Sequence, residues 1–395
     1  MTKAFYEFFC PVKIIAGHKA LEHIPFELSA LSVERPLIVT DKGVRGVGLL
    51  SHIENVFAAA GLPIPVIFDD VPPDSSLHTV RNATAVYRDN DCDAIIAIGG
   101  GSVIDTSKAL NVLASEGGDD LLKYSGAHNL KRPLKPLFVI PTTSGTGSEV
   151  TMVAMISDTE KGVKIPFTSY FLLPNAAVLD PRMTLTLPPH ITAMTAMDAL
   201  THAIEAYTCM AANPMSDAYA TAAVQKIVGN ILKVMDHPHD ADGRLELAQA
   251  STMAGIAFSN SMVGMVHALG HSIGAVCHLP HGLCMSLLLP YVLEYNQDAI
   301  AERLGQLLLP LAGAEFYAAT PAASRAIRSI LVIRQLRDDL YARCKLPRTL
   351  QETGKVKQEQ LEQIVEVAIN DGSLIYNPKE ADRPDLLAVL KAAWA

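Results

Sequence analysis

Between Leu247 and Leu293 the chain carries no Asp, Glu, Lys or Arg, yet it holds histidines at 267, 271, 278 and 281. A run this long and this poor in charge has to leave water, either into a membrane or into a protein core. The imidazoles and the repeated Gly, Pro, Ser and Asn interrupt it in ways that hydrocarbon penalises heavily, so buried helices of a folded domain are expected. Burying unpaired imidazoles is costly, and a shared ion would satisfy several of them at once.

At 395 residues the chain exceeds the size at which one hydrophobic core stops growing, so two domains are expected. With 49% hydrophobic and 18% charged residues it has ample apolar material for both, and its composition is not that of a disordered chain. A formal net charge of -9 argues against general affinity for nucleic acid and fits a small-molecule substrate. The six cysteines are scattered with no CxxC pair, as expected of thiols in a reducing, cytoplasmic compartment. The N-terminal stretch MTKAFYEFFCPVKIIAG has no long apolar segment and no small-residue cleavage site, and is expected to be mature protein.

The first half alternates short apolar runs with helical stretches: PLIVT (36–40), PVIF (65–68), AIIAI (94–98) and LFVI (137–140). That alternation points to a parallel α/β sheet. Beyond about residue 186 the Ala, Leu, Met and His-rich segments run long without strand alternation, and helices are expected. The turn-rich LDPRMTLTLPPH (179–190) marks the change. The expected domains are therefore 1–185, α/β, and 186–395, all-α, with the ligand site in a cleft between them.

Gly99-Gly100-Gly101-Ser102 directly follows AIIAI and opens a helical stretch. Glycines there let the backbone approach a phosphate, and the helix N-terminus offers free N–H groups. Alone, the motif is equally consistent with a plain tight turn. A second loop, Pro141 to Glu149 (PTTSGTGSE), follows LFVI with more hydroxyls and backbone donors, and two such loops at strand C-termini make one crevice. Asp41 ends PLIVT, where a carboxylate can bind both ribose hydroxyls and repel a 2′-phosphate, favouring NAD over NADP. A helix cap is the plainer reading of Asp41. The acid precedes the glycines, so this is not the usual dinucleotide fingerprint.

In MTAMDALTHAIEAY (194–207) Asp198 and His202 share one helix face at i, i+4 spacing, and His267 and His271 repeat that spacing. On one straight helix His267 and His281 would lie about 21 Å apart, at roughly 1.5 Å per residue, and could share nothing. Pro280 and the glycines at 274 and 282 break that helix and let His281 return. An Asp with three neutral imidazoles would leave a position open for substrate, as in catalytic rather than structural sites, and suits Fe(II) and Zn(II) alike.

GGGSVIDTSK (99–108), PTTSGTGSEVT (141–151), MDALTHAIEAY (197–207) and HALGHSIGAVCHLPHG (267–282) together resemble the iron-containing, or group III, alcohol dehydrogenases, in order and over nearly the whole chain. The resemblance implies an N-terminal dinucleotide-binding α/β domain and an all-α, metal-binding C-terminal domain, an architecture like that of dehydroquinate synthase. It also implies a homodimer or larger homo-oligomer. Carried over by position, it implies metal ligands at Asp198, His202, His267 and His281, and a proton-handling histidine at His271. Cofactor contacts fall on Asp41, Gly100, Gly101, Ser102, Thr142, Thr143, Thr146, Thr151, Lys164 and Met183.

The chain departs from the family pattern at Val71-Pro72-Pro73-Asp74, where relatives carry a Pro-Asn-Pro, and at Val276-Cys277-His278, where many show an aromatic and an asparagine. His278 is thus the rival of His281 as a ligand. The expected chemistry is hydride transfer between nicotinamide C4 and a metal-bound alcohol or carbonyl. A dehydroquinate synthase-like lyase would need Lys and Arg around a phosphorylated substrate, and the metal half's central segments are nearly free of them. A hydroxyacid-oxoacid transhydrogenase that never releases its cofactor, or a metal-binding protein without catalysis, could carry the same residues.

Overall fold

Each apolar run of the first half is short and bounded by turn signals, and each forms a strand. The computed structural model describes residues 5–159 and 163–395; the first four residues of the N-terminal stretch lie outside them. The chain divides into Cys10–Leu187 and a second unit of Pro188–Ala395 with the N-terminal residues through Phe9.

In the first unit the strands are β1 (Lys13–Ala16), β2 (Pro36–Val39), β3 (Val66–Phe68), β4 (Ala94–Gly99), β5 (Gly126–Ala127), β6 (Leu137–Pro141), β7 (Val153–Asp158), β8 (Val163–Thr168) and β9 (Ala176–Leu179). Six of them form one wholly parallel sheet in the order β1-β9-β6-β4-β2-β3. Ile38, Ile96, Ile98, Phe138, Ile140 and Val178 pack in one core cluster, while the intervening Leu37, Val39, Ile95, Ala97, Leu137 and Val139 pack in another. Alternate residues thus enter separate cores on opposite faces, which is why β4 reads as an unbroken apolar run. The remaining strands form a smaller sheet, β5-β8-β7, in which β7 and β8 pair antiparallel.

Between β2 and β4 the strand order reverses, so the chain leaves their C-terminal ends in opposite directions and opens a crevice there. Helix α1 (Lys42–Gly46) leaves β2 and α2 (Gly101–Glu116) leaves β4 at that edge.

A fully buried lysine anchors α2. The Lys108 ammonium donates to the carbonyls of Thr151 and Val153 (2.8 Å each), to Thr151 Oγ1 (3.1 Å) and to Ser148 Oγ (3.2 Å). Asp105, one turn earlier on the helix, accepts from Ser148 Oγ (2.7 Å) and the Met155 amide (2.9 Å). Burial pushes Lys108 down to about 8 and Asp105 up, each charge partly countering the other's desolvation.

The second unit contains helices α3 (Pro189–Thr208), α4 (Pro214–Asp236), α5 (Ala241–Ser259), α6 (Met265–Cys277), α7 (His281–Gln306) and α8 (Arg325–Cys344), with shorter segments between α7 and α8 and after α8. The charge-free run spans most of α5, all of α6 and the first half of α7, and its apolar residues fill one continuous core. Among the described residues no helix is long and apolar enough to cross a membrane. Helix α6 stops where His278 takes a left-handed conformation (φ 54°, ψ 38°), and Pro280 precedes α7.

Replacing Lys108 with Met keeps the length of the side chain but strands the Asp105 carboxylate and two buried carbonyls. Lys108→Met is expected to cost about 3–5 kcal/mol, the usual penalty for breaking a buried pair from one side, read as a lower urea midpoint with unchanged slope.

Candidate metal and nucleotide sites

On the nucleotide side, the two expected loops lie on neighbouring strands. Gly99 pairs with Pro141 at the ends of β4 and β6, and the Thr142 amide donates to the Gly99 carbonyl (3.1 Å). Gly101 is required by close approach, since a Cβ there would lie 2.9 Å from Thr146 Cγ2. Thr143 flanks Gly100 in the same way, its hydroxyl 3.3 Å from where a Cβ would stand. Gly100, Gly101, Ser102, Thr142, Thr143 and Thr146 are therefore gathered at one edge of the sheet.

Asp41 sits at the end of the neighbouring β2 and caps α1, its Oδ1 accepting from the Val44 amide at 2.8 Å. The capping role that the sequence left open is thus real. Lys164 comes from β8, and its ammonium pairs with Asp74 (2.5 Å), whose amide in turn donates to Ser102 Oγ (3.2 Å). Asp74, one of the departures from the family pattern, thus holds the lysine beside the glycine loop. Thr151 and Met183 lie deeper: Thr151 is committed to Lys108, and Met183 is fully buried in the core cluster under the sheet.

In the helical unit, α3 carries Asp198 and His202 on one face, α6 carries His267, and the turn at 278–280 brings His281 back at the start of α7. Each of the four offers one ligand atom, and these atoms lie within 4.8 Å of one another. His281 Nε2 stands 3.4 Å from Asp198 Oδ1, and the His202 ring stacks on His267 with centroids 4.6 Å apart. His278, the rival of His281, is the exposed cap residue of α6 and is not one of the four.

The return of His281 depends on Gly282. A Cβ on Gly282 would lie 2.5 Å from the Met194 carbonyl oxygen and 3.4 Å from Asp198 Cβ. With no side chain there, the first turn of α7 lies directly against α3.

The electrostatics suit a cation. Asp198 Oδ1 and His267 Nε2 are buried without a hydrogen-bond partner among the described residues. Such atoms cost about 1–3 kcal/mol each when unsatisfied, and a shared cation would satisfy both. Burial pushes the Asp198 carboxyl up to about 8. Burial likewise holds His267 well below its ordinary value, so its imidazole is neutral and able to ligate.

His271 lies outside the four. Its ring stacks on His281 at 5.3 Å, its side chain is 38% exposed, and its Nδ1 donates to Asp371 Oδ2 at 2.9 Å. Burial alone would raise the Asp371 carboxyl, but the hydrogen bond and charge of His271 outweigh it and hold that carboxyl well below the usual range. Asp371 was not apparent from the sequence, being a hundred residues downstream. Nor was Glu205, whose carboxylate meets His267 Nδ1 at 2.5 Å. Its place on α3 after Asp198 and His202, at i, i+4, i+7, is the signal that could have revealed it.

Two family models match the chain: "Iron-containing alcohol dehydrogenase" over residues 11–181, and "Fe-containing alcohol dehydrogenase family, C-terminal" over residues 192–394. The chain is 34% identical over 389 residues to alcohol dehydrogenase 4 of Saccharomyces cerevisiae (strain YJM789), covering 98% of each. It is 33% identical over 386 residues to the NAD-dependent methanol dehydrogenase of Bacillus methanolicus, covering 98% of this chain and 99% of that one. The solved structure of a 1,3-propanediol oxidoreductase superposes with a TM-score of 0.93 at 32% identity, over 99% of this chain and 100% of the other.

Gly282→Ala tests the α3–α7 contact. The added methyl has only backbone to displace, so α7 must move off α3 and carry His281 from Asp198. The variant is expected to keep its helical content by circular dichroism but to bind Zn(II) at least tenfold more weakly in a chelator competition, as loss of a ligand's support commonly does.

Proposed function

The chain belongs to the iron-containing alcohol dehydrogenase family, and from that membership we propose a metal-dependent, NAD-linked alcohol dehydrogenase that oxidises an alcohol CH–OH or reduces the corresponding carbonyl. The observation that carries the reading is the convergence of Asp198, His202, His267 and His281, with Asp198 Oδ1 and His267 Nε2 buried and without a hydrogen-bond partner among the described residues. One carboxylate and three imidazoles would hold a divalent cation at a net charge of about +1, the balance of a catalytic rather than a closed structural site.

The cation, which we take to be Fe(II) with Zn(II) as the alternative, supplies Lewis-acid polarisation of the substrate oxygen when bound, and NAD supplies the hydride acceptor. The residues of the chain do the rest. Asp371 keeps the proton of His271 on Nδ1, so the ring's Nε2 is the atom able to take the alcohol proton, and its partly exposed ring can pass that proton to solvent. Gly100, Gly101 and Ser102, with Thr142, Thr143 and Thr146, would receive the cofactor diphosphate at the N-terminus of α2. Lys164 adds positive charge beside them, and Asp41 favours NAD over NADP at the ribose. Thr151 and Met183 are the remaining cofactor contacts that the family likeness implies, set deeper than the loops.

All six cysteines are free thiols, which supports a cytoplasmic enzyme; the homo-oligomer implied by the family likeness completes the reading. The family membership weighs against the lyase, and net NADH formation by catalytic amounts of protein would separate a dehydrogenase from a transhydrogenase.

The direct test loads metal-free protein with Fe(II) or Zn(II) without oxygen and follows NADH with a panel of short and long alcohols. Metal-dependent turnover is expected, with His267→Ala losing bound metal and activity together; full activity in metal-free protein would overturn the proposal. Metal uptake should also depend on pH. With burial placing the Asp198 carboxyl at about 8, the metal-free site is protonated at neutral pH and must release that proton to bind a cation. Zn(II) affinity is therefore expected to rise up to about tenfold per pH unit below 8 and to flatten above it. Calorimetric titration in buffers of different ionisation heat would count the released proton.

A further inference from the structure

Glu205 takes no part in the chemistry above, yet both of its oxygens are committed. It is 4% exposed and projects from α3 toward the N-terminus of α6. Its Oε1 accepts from the Val266 amide at 2.7 Å, and the neighbouring amides of Gly264 and His267 also favour its charge. These are first-turn N–H groups of α6, whose own N-cap residue, Gly264, offers no side chain to meet them. The second oxygen, Oε2, lies 2.5 Å from His267 Nδ1.

We infer that Glu205 is a positioning residue that fixes the His267 proton on Nδ1 and so leaves a lone pair on Nε2, the ring nitrogen available to a cation. The inference rests on the reading that the four-residue cluster holds a divalent metal. An imidazole has two neutral tautomers, and only one leaves Nε2 able to ligate. In its ionised form, which the amides at the start of α6 favour against burial, the carboxylate can only accept, so the hydrogen bond to Nδ1 selects that tautomer and orients the ring. Helix polarity favours the negative charge at the same place. Neither task can pass to an amide. A glutamine would have to turn its NH2 either toward His267 Nδ1, putting the ring proton on Nε2, or toward the α6 amides, where donor meets donor.

A residue that only caps α6 and one that sets a tautomer part company in Glu205→Gln. The metal-free full-length protein, labelled with 15N-histidine, reports the tautomer directly, with His267→Ala identifying the resonance; Zn(II) affinity comes from competition with a chromophoric chelator. The wild-type protein is expected to carry the His267 proton on Nδ1. In Glu205→Gln it should move to Nε2, with Zn(II) affinity lowered about 10–100-fold while the far-ultraviolet circular dichroism is unchanged. If Glu205→Gln fails to fold, Glu205→Asp serves instead. It keeps both acceptors at shorter reach, and should retain the Nδ1 proton with a smaller loss of affinity. A wild-type His267 protonated on Nε2, or a folded Glu205→Gln that binds Zn(II) as tightly as wild type, overturns the role of Glu205. A wild-type chain that takes up no Zn(II) overturns the metal reading itself, and this inference with it.

Discussion

The helical unit is organised around one carboxylate, Asp198, buried where no lysine or arginine among the described residues answers it. A charge removed from water needs either a proton or a partner, and the groups brought to it are imidazoles from three helices. That requirement explains features that would otherwise look unrelated. Helix α6 has to end at His278 so that α7 can start with His281. Residue 282 has to lack a side chain so that α7 can lie on α3.

The nucleotide unit meets a different demand with the same means. If these loops are to receive a cofactor diphosphate, as proposed, amides left free for it cannot also hold the loop, and support has to come from below. Lys108 does this, reaching from the helix that follows the glycines to the carbonyls of Thr151 and Val153, with Asp105 bonded to Ser148 and Met155 on the same side. Threonines of the second loop then pack on glycines of the first, closely enough at Gly101 to leave no room for a side chain. Asp74 and Lys164 close the edge with an exposed ion pair, weak by itself because water screens it.

The central strands were legible because burial on both faces leaves uninterrupted apolar runs: PLIVT, AIIAI and LFVI cannot be mistaken for solvent-facing segments. Strands β1 and β9 were not. KIIA is a mostly exposed edge strand with one lysine, and AAVL is half alanine, so neither reads as an uninterrupted run of large apolar residues. The β7–β8 pair was hidden for another reason, since VAMISD alternates buried and half-buried positions on a small sheet and carries no strong period. In the site, Asp198 and His202 could be paired by helical spacing alone. The choice between His271, His278 and His281 could not, because spacing measures distance along one helix and these three straddle its end.

By itself, then, the sequence determined the composition of each core, the place where strands give way to helices, and the residue types available to hold a cofactor and a cation. These follow from local pattern, since burial, turn chemistry and helical period act over a few residues. Tertiary structure alone decided that Glu205 faces His267, that Asp371 holds His271, that Lys108 is buried under the loops, and that Gly282 is where two helices touch. Each of those contacts joins positions from different elements, and the hydrogen bond or close approach that defines it exists only once both elements are packed.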